Sequence, residues 1–470
     1  MTTRDVDRLL TTWLEADAPV REPDHLLGDV LARTSHTRRR PGWVVPERWL
    51  PMQRTMRFQA APRLGAVLAV VALLILVLGL AGVFVAGQRR LPPAFGVASN
   101  GQVVYVSNGE LWAARADGSS AHAITADGLV KGAPLLSHDG SRLAFLAYPA
   151  GTLLGGHAGS PSGSGDSITD APDLIVMQVD GTRPVTIVAD AAWIRHVAWS
   201  PDDRQIVFSR FWNGATTYQR DRIFVAPVDG SSEPEMVGDA LLGAFNPTMS
   251  PDGRRIAFVS DHYPDLCGIG DCQGEQSFGL HVMDADGLNG ITLAHGQVQP
   301  ATVGATDAAD FDRYARVVDW SPDSRTILFS GLDTSAPRLT GIYAVAADGK
   351  SDPTRLTDSG GIAFGAVWSP DGRRIAYLQN DGERWQVVVA DPDGRNARPI
   401  RDDVAPFGPQ WSPDGRSVIV VDPVTGPNAT LRVVPVDGGA AERTIAVTIA
   451  ASGSISELGL EQPSWQRLAP

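Results

Sequence analysis

The hydrophobic and polar positions of this 470-residue chain follow two patterns, which meet near residue 90. Residues 64–87 form one uninterrupted run of apolar residues and glycines, dense in Val, Leu, Ala and Ile. From residue 98 onward, apolar and polar residues alternate in short runs that are bounded by turn-forming residues. The first pattern is typical of a helix in an apolar environment, and the second predicts half-buried β-strands.

The apolar run is long enough to cross a membrane. A helix of about 20 residues, at about 1.5 Å per residue, spans the hydrocarbon of a bilayer. A buried helix of a soluble protein would rarely lack a polar stripe over six turns, and a cleaved signal peptide would not follow 63 residues of chain. The run therefore predicts a single transmembrane helix at residues 64–87.

Arginines are unevenly distributed on the two sides of this helix. Residues 30–63 contain eight Arg and one acid, Glu47, whereas Arg89 and Arg90 are the only basic residues close to its other end. By the positive-inside rule, the N-terminus lies in the cytoplasm and the rest of the chain is extracytoplasmic. We thus predict a plasma-membrane protein with a cytoplasmic leader (1–63), a span (64–87), a linker (88–97) and a large extracytoplasmic domain (98–470).

Two short sequence elements recur through the large domain. The first is Trp-Ser-Pro-Asp or a degenerate form of it, with its Asp at Asp139, Asp202, Asp252, Asp323, Asp371 and Asp414. The second is an Asp-Gly turn after a strand-like run, with its glycine at Gly118, Gly181, Gly230, Gly287, Gly349, Gly394 and Gly438. Pro, Asp, Ser and Gly at these positions form tight turns, so each unit reads as antiparallel hairpins of four strands, A to D.

Four-stranded units repeated about every 45 residues predict an all-β fold, the β-propeller. The first unit offers only strands B, C and D within residues 101–125, and the missing strand A is expected at Pro463-Ser464-Trp465. The C-terminal strand should therefore complete the first of seven blades. A six-bladed ring with one irregular unit is the alternative.

These repeats resemble the propellers of the TolB-like family, which also occur in the tricorn protease and in prolyl oligopeptidases. The resemblance covers residues 98–470 and implies a propeller that serves as an interaction platform or as a gating or sensing domain. The repeat Trp and turn Asp residues match positions that are structural in that family. No functional residue is therefore carried over from it.

The leader contains two short amphipathic patterns, at residues 5–16 and 23–33. A helical leader, one span and an outer domain resemble the layout of bacterial anti-sigma factors, which implies a cytoplasmic sigma factor as a partner. The leader departs from zinc-type anti-sigma domains because no Cys precedes Cys267. The alternative is a juxtamembrane leader that only sets the topology.

Four connections are longer than the shortest repeat requires: residues 148–171, 210–221, 261–278 and 294–315. In an up-and-down propeller, the A–B and C–D turns lie at one end of the ring, which we call the turn end. The B–C and D–A connections lie at the opposite end, the loop end. All four insertions belong to the loop end. They contain aromatic and acidic residues suited to a binding surface for a protein or peptide ligand: Phe211, Trp212, Tyr218, His262, Tyr263, Asp310, Phe311, Asp312 and Tyr314. The alternative is that loops simply lengthen where the fold tolerates it.

The linker predicts which end of the ring faces the membrane. Strand B of the first blade begins at the turn end, and about ten linker residues extend at most about 35 Å. The turn end should therefore face the membrane and the loop end should face outward.

The sequence contains two cysteines, Cys267 and Cys272, both in one insertion. An oxidising compartment favours a disulfide between them, since a metal site would find only His262 nearby. The chain has no Gly-x-Ser-x-Gly, His-Glu-x-x-His or phosphate-loop motif. Asp284-Ala285-Asp286-Gly287 resembles the start of a calcium-binding loop, but the closing Glu is absent and the position recurs as a hairpin turn. With a net charge of −13, nucleic acid is not an expected partner. We expect a protein that binds a protein, peptide or envelope ligand, without catalytic residues, cofactor or metal. The alternatives are a passive envelope scaffold without signalling and, third, an enzyme built in the propeller channel.

Overall fold

The computed structural model describes twelve stretches of the C-terminal four fifths of the chain: residues 95–150, 171–189, 194–212, 220–238, 243–260, 278–298, 318–333, 336–358, 361–423, 428–438, 440–448 and 463–468. The regular elements within these stretches are β-strands. No helix among them is long and apolar enough to cross a membrane. The predicted leader and transmembrane segment lie outside the described residues.

The strands form seven antiparallel blades of four strands each, arranged as a β-propeller. The first three blades run from the innermost to the outermost strand as follows: blade 1, β28 (Ser464–Leu468), β1 (Ser99–Ser107), β2 (Glu110–Ala114) and β3 (His122–Ala123); blade 2, β4 (Val130–Leu136), β5 (Arg142–Tyr148), β6 (Asp173–Gln178) and β7 (Val185–Val188); blade 3, β8 (Ile194–Trp199), β9 (Gln205–Trp212), β10 (Arg220–Pro227) and β11 (Glu235–Val237).

The other four blades follow the same order from the innermost strand outward: blade 4, β12 (Ala244–Met249), β13 (Arg255–Ser260), β14 (Phe278–Asp284) and β15 (Ile291–Val298); blade 5, β16 (Val318–Trp320), β17 (Thr326–Asp333), β18 (Ala336–Ala346) and β19 (Thr354–Arg355); blade 6, β20 (Ile362–Trp368), β21 (Ile375–Asn380), β22 (Trp385–Ala390) and β23 (Arg398–Asp402); blade 7, β24 (Gln410–Trp411), β25 (Ser417–Val421), β26 (Asn428–Pro435) and β27 (Arg443–Thr448).

The C-terminal strand closes the ring, as the sequence predicts. β28 pairs with β1, with Leu468 opposite Ser99 and Trp465 opposite Val103. Trp465 also donates from Nε1 to the carbonyl of Gly101 at 3.3 Å. The prediction of seven blades is confirmed, and the six-bladed alternative is wrong.

The core consists of seven clusters of buried side chains, one between each pair of neighbouring blades. Successive residues of a strand point to opposite faces of its sheet, and a blade inside a ring has a neighbour on each face. This explains why the second strand of each blade, such as Val418 to Val421 in blade 7, is almost fully buried along its length.

Blades 4 and 5 differ from the other blades because they are joined into one sheet. β15 continues to Val298, which pairs with Gly331 of β17, the strand whose innermost partner is the short β16. The connection expected at residues 294–315 therefore begins later than the sequence predicts, because residues 294–298 continue a strand. Val298 therefore pairs with the same edge of β17 as the innermost strand of blade 5, which begins at Val318.

Candidate functional site

The innermost strands of all seven blades surround a cavity of about 380 Å³ in the middle of the ring. Its lining includes the residue before the repeat Trp position in each blade: Leu135, Ala198, Thr248, Asp319, Val367, Gln410 and Ser464. Residues of the Ser-Pro-Asp turns also line it, including Ser137, Pro322, Pro370 and Pro413. The cavity therefore lies toward the turn end.

Polar groups around this cavity tie neighbouring blades to one another. Asp319, which is 8% exposed, accepts a hydrogen bond from the backbone N–H of Trp368 in the next blade at 2.8 Å. Ser464 Oγ accepts one from the N–H of Leu136 at 2.9 Å. The indole N–H of Trp368 is buried, and it has no hydrogen-bond partner among the described residues. The lining thus combines apolar side chains with polar ones, several of which hold neighbouring blades together.

The chain enters the propeller across the turn-end mouth of this cavity. Phe95 and Gly96 line the cavity, and the Phe95 ring lies 4.7 Å from the His138 ring, centroid to centroid. Arg467 donates to the carbonyl of Gly96 at 2.6 Å, and the N–H of Ala98 donates to the carbonyl of Pro413 at 2.9 Å. We call residues 95–98 the lead-in segment. It is fixed to blades 1, 2 and 7 at the turn end.

The turns of the turn end share one set of hydrogen bonds. In each of the six Ser-x-Asp turns, the Ser hydroxyl donates to the Asp carboxylate at 2.6–2.7 Å. Burial alone would raise the pKa of Asp371, but the hydrogen bonds from Ser369 and Arg373 and the nearby charges of Arg374 and Arg373 outweigh it. The pKa of this carboxyl therefore lies below its ordinary value. The same holds for the turn residues Asp139, Asp202 and Asp252.

At this end, arginines link three pairs of adjacent blades. Arg255 of blade 4 places its guanidinium 5.1 Å from the ring centroid of Trp320 in blade 5, and donates to the carbonyl of Ser324 at 2.6 Å. Arg374 of blade 6 does the same with Trp411 of blade 7. A third copy joins blades 2 and 3 through Arg142. These contacts are structural because both partners belong to the repeat itself.

His138 and Asp203 form a turn contact in which both partners depart from the repeat. His138 stands where the other five turns have Pro, and Asp203 stands where four of the six have Gly. His138 Nδ1 lies 2.9 Å from the Asp203 carboxylate, which also accepts from the N–H groups of His138 and Asp139, each at 2.8 Å. Asp203 has a φ of +56°, a left-handed backbone that Gly adopts more easily. The two exceptions therefore compensate each other across a blade boundary.

The polar groups of this turn contact are engaged with one another. The His138–Asp203 pair is engaged in capping backbone N–H groups, and its neighbour Ser137 donates to Asp139. Within the part of the chain that the structure describes, no group of three His, Cys, Asp or Glu could hold a metal ion.

The structure places two of the nine predicted ligand-binding residues. Phe211 and Trp212 continue β9, where they pair with Asp221 and Arg220 of β10. The prediction that they lie in a loop is wrong, because the ladder of β9 and β10 extends into the insertion as far as the pair Trp212–Arg220. The other seven, Tyr218, His262, Tyr263, Asp310, Phe311, Asp312 and Tyr314, lie outside the described residues, as do Cys267 and Cys272.

Sequence reasoning missed the lead-in segment and the His138–Asp203 pair. The second could have been found, since a His at the Pro position is followed in the next blade by an Asp at the Gly position. The first carries no sequence signal. Phe95 is recognisable only once the ring places it over the cavity.

Comparisons with known proteins support the TolB-like propeller. Over 86 residues the chain is 34% identical to the Tol-Pal system protein TolB of Anaeromyxobacter dehalogenans, which covers 18% of this chain and 19% of that protein. An uncharacterized protein of Agrobacterium fabrum is 28% identical over 196 residues, covering 39% of this chain and 55% of that one. In its propeller repeats, the chain is similar to TolB. It spans about a fifth of the length of the curated TolB proteins that it matches.

Solved structures that are similar to this chain include TolB, the tricorn protease and an oligogalacturonate lyase. TolB of Acinetobacter baumannii has a TM-score of 0.44 at 19% identity, covering 69% of this chain and 66% of that one. The tricorn protease has a TM-score of 0.49 at 11% identity, covering 80% of this chain and 35% of that one. An oligogalacturonate lyase has a TM-score of 0.46 at 12% identity, covering 71% and 81%. No family model matches the chain.

Proposed function

We propose that this chain is a membrane-anchored, extracytoplasmic propeller that binds a protein or peptide ligand at its loop end. The observation that carries the proposal is the contrast between the two ends of the ring. The turn end consists of short repeated turns whose Ser and Asp side chains are engaged with one another, and the lead-in segment lies at its cavity mouth. The loop end receives the insertions and their aromatic residues.

The similarity to TolB in the repeats supports a partner of the protein class in the cell envelope. A peptide lying across the ends of the blades would meet Tyr263 and Tyr314, on two neighbouring insertions, and the hairpin that ends at Trp212. Aromatic side chains on a rigid frame supply much of the binding energy of such interfaces. The proposed surface is formed by all nine predicted residues.

The proposed anchor is the apolar run of residues 64–87, with the leader in the cytoplasm. Cysteine labelling tests this topology in intact cells, in a background with Cys267→Ser and Cys272→Ser. A membrane-impermeant maleimide should label an introduced Ser231→Cys, at a turn of the propeller, and should not label Thr12→Cys in the leader. The reverse labelling pattern would overturn the assignment.

The binding surface is tested by capture of proteins from the cell envelope with the full chain as bait. The triple variant Trp212→Ala, Tyr263→Ala, Tyr314→Ala should capture its partner at least about tenfold less well, because hot-spot aromatics each contribute about 2 kcal/mol or more. Glu383→Ala, in the short exposed loop between β21 and β22, is the matched control at the same end. Equal capture by the triple variant and the wild type would exclude this surface.

We further propose that the leader passes ligand binding to a cytoplasmic partner, a sigma factor by its resemblance to anti-sigma proteins. Deleting residues 1–55 leaves the span and propeller intact, so transcription should change while the propeller still captures its ligand. Unchanged transcription would leave a passive envelope scaffold as the function. Catalysis in the central cavity is the third candidate, and no arrangement of the described residues favours it.

A further inference from the structure

We infer that the turn end of the propeller lies directly against anionic phospholipid headgroups, with a set of five arginines in contact with lipid phosphates. The inference rests on the membrane anchor of the proposed function, and adds to it the contacting surface and the lipid chemistry. The surface is formed by Arg204, Arg254, Arg325, Arg373 and Arg416, which we call the arginine ring, together with exposed apolar residues of the same end.

The arginine ring repeats one position in five consecutive blades. Each member follows the turn Asp by two residues in blades 3 to 7, and each is exposed. Each donates its backbone N–H to that Asp at 3.0–3.1 Å. The side chains form no hydrogen bond or ion pair with another described residue. The carboxylates are thus hydrogen-bonded within their turns. The charges of Arg204, Arg254 and Arg373 help to lower the pKa of the adjacent turn carboxylates, but the guanidinium N–H groups remain available to donate to a partner.

Exposed apolar side chains accompany the arginine ring. Five large hydrophobic residues are exposed among the described residues, and Val97, Leu288, Ile291 and Leu468 belong to the turn end. Leu288 is 63% exposed at the Asp-Gly turn of blade 4, and Leu468 is 42% exposed beside the start of β1. Apolar residues interspersed with arginine fit the boundary between headgroups and acyl chains.

The N-terminal part of the chain joins the described propeller at this surface. Seven residues, 88–94, separate the predicted span from Phe95, which is held against His138 at the turn end. Seven residues extend at most about 25 Å, so the tether keeps the arginine ring close to the headgroup layer. Arg89 and Arg90 in the tether add positive charge on the same side.

The charge of the opposite end favours the same orientation. The loop-end connections that lie outside the described residues contain thirteen Asp and Glu but only two Arg, Arg313 and Arg316. An anionic membrane therefore repels the loop end and attracts the arginine ring. Guanidinium groups bind phosphate oxygens in a bidentate manner, and basic residues near an anionic surface are attracted over about one Debye length. The tether and the charge asymmetry thus act in the same direction.

Depth-dependent fluorescence quenching of the full chain in vesicles tests the inference. In the Cys267→Ser, Cys272→Ser background, an environment-sensitive fluorophore is attached at Leu288→Cys on the turn end or at Glu383→Cys on the loop end. The vesicles are made of phosphatidylcholine alone, or of phosphatidylcholine mixed with phosphatidylglycerol, and both carry nitroxide-labelled lipid. We expect several-fold stronger quenching at position 288 than at position 383 in the anionic vesicles. Replacing the arginine ring with Gln, or raising the salt concentration, should remove the difference.

Three results would overturn the inference, and they differ in whether they also exclude the membrane anchor. Equal quenching at the two positions, or quenching at position 288 that is the same in neutral and anionic vesicles, would exclude headgroup docking and leave the anchor intact. Stronger quenching at position 383 would invert the orientation. Failure of the chain to float with vesicles of either composition would exclude both the anchor and the docking. Near-ultraviolet circular dichroism of the arginine-ring variant should match the wild type, since the exchanged side chains are exposed.

Discussion

The two ends of this propeller are formed by the same strands but differ in what their connections do. At the turn end, six turns repeat one Ser–Asp hydrogen bond, and the glycines of the Asp-Gly turns, except Gly438, closely approach the outer part of the preceding blade. At the loop end, the connections vary in length, and candidate ligand residues lie there. We expect substitutions at the turn end to affect stability more than substitutions in the loop-end connections, where the proposed binding surface can vary without affecting the ring.

Ring closure should have the largest effect on stability. Deleting residues 463–470 removes β28, with the buried Trp465, and leaves β1 as an open edge. Removing a buried Trp side chain alone costs about 3–5 kcal/mol, so the deletion should cost more than about 5 kcal/mol in the free energy of unfolding. Denaturant unfolding followed by tryptophan fluorescence measures it. Deleting only residues 469–470 is the control, and comparable losses in the two deletions would contradict the closure.

The second prediction concerns two glycines in equivalent turns of the turn end. A Cβ at Gly394 would lie 2.2 Å from the carbonyl oxygen of Leu356 in blade 5, whereas a Cβ at Gly438 meets nothing within 4 Å. Both have a positive φ, so Ala at either position has a backbone cost of about 1–2 kcal/mol. Gly394→Ala should therefore cost at least about 2 kcal/mol more than Gly438→Ala, because it also displaces the neighbouring blade. Equal melting temperatures would show that the turns do not hold the blades together.

The accuracy of the predictions made from the sequence also differs between the turns and the longer connections. The blade count and the closing strand are correct because the Trp and Asp-Gly positions mark each turn, and a turn is a local structure. The junction of blades 4 and 5 could not be predicted, since pairing of Val298 with Gly331 depends on the position of a neighbouring blade. The extension of β9 to Trp212 was missed because the sequence of this insertion does not distinguish a longer hairpin from a loop. The site itself stays a prediction for the residues outside the described stretches.

The third prediction restores the repeat at its exceptional turn. Asp203→Gly leaves the N–H groups of His138 and Asp139 without their acceptor, which should cost about 1–3 kcal/mol. The double variant His138→Pro, Asp203→Gly recreates the contact that Gly253 makes with Pro201, where a Cβ would lie 3.8 Å from the Pro ring. A double-mutant cycle on the free energy of unfolding should therefore show a coupling of about 1 kcal/mol. Additive effects would mean that the two exceptions do not compensate each other.

The fourth prediction is a pH dependence of the turn end. The pKa of Asp371 lies below its ordinary value of 3.8 in the folded chain, so its ionised form stabilises the fold at neutral pH. That contribution is present above the pKa of the unfolded chain and is lost as the pH falls through the lower folded value. Asp371→Asn should cost about 1 kcal/mol or less at pH 7, because the group is exposed, and nothing at pH values below its folded pKa. Parallel curves of stability against pH for the variant and the wild type would contradict this.

The smallest effect on stability is expected at the loop end. Replacing residues 151–170 with Gly-Ser shortens the connection between β5 and β6, whose ladder already ends at the pair Ala147–Asp173. Each halving of a flexible loop recovers only about 0.6 kcal/mol of closure entropy, so the free energy of unfolding should change by no more than about 1 kcal/mol. This insertion is rich in Gly and Ser and has none of the nine predicted ligand residues, so capture of the ligand by the full chain should also be unchanged. A loss of several kcal/mol would show that the loop end contributes to the scaffold, and a loss of capture at unchanged stability would extend the binding surface to blade 2.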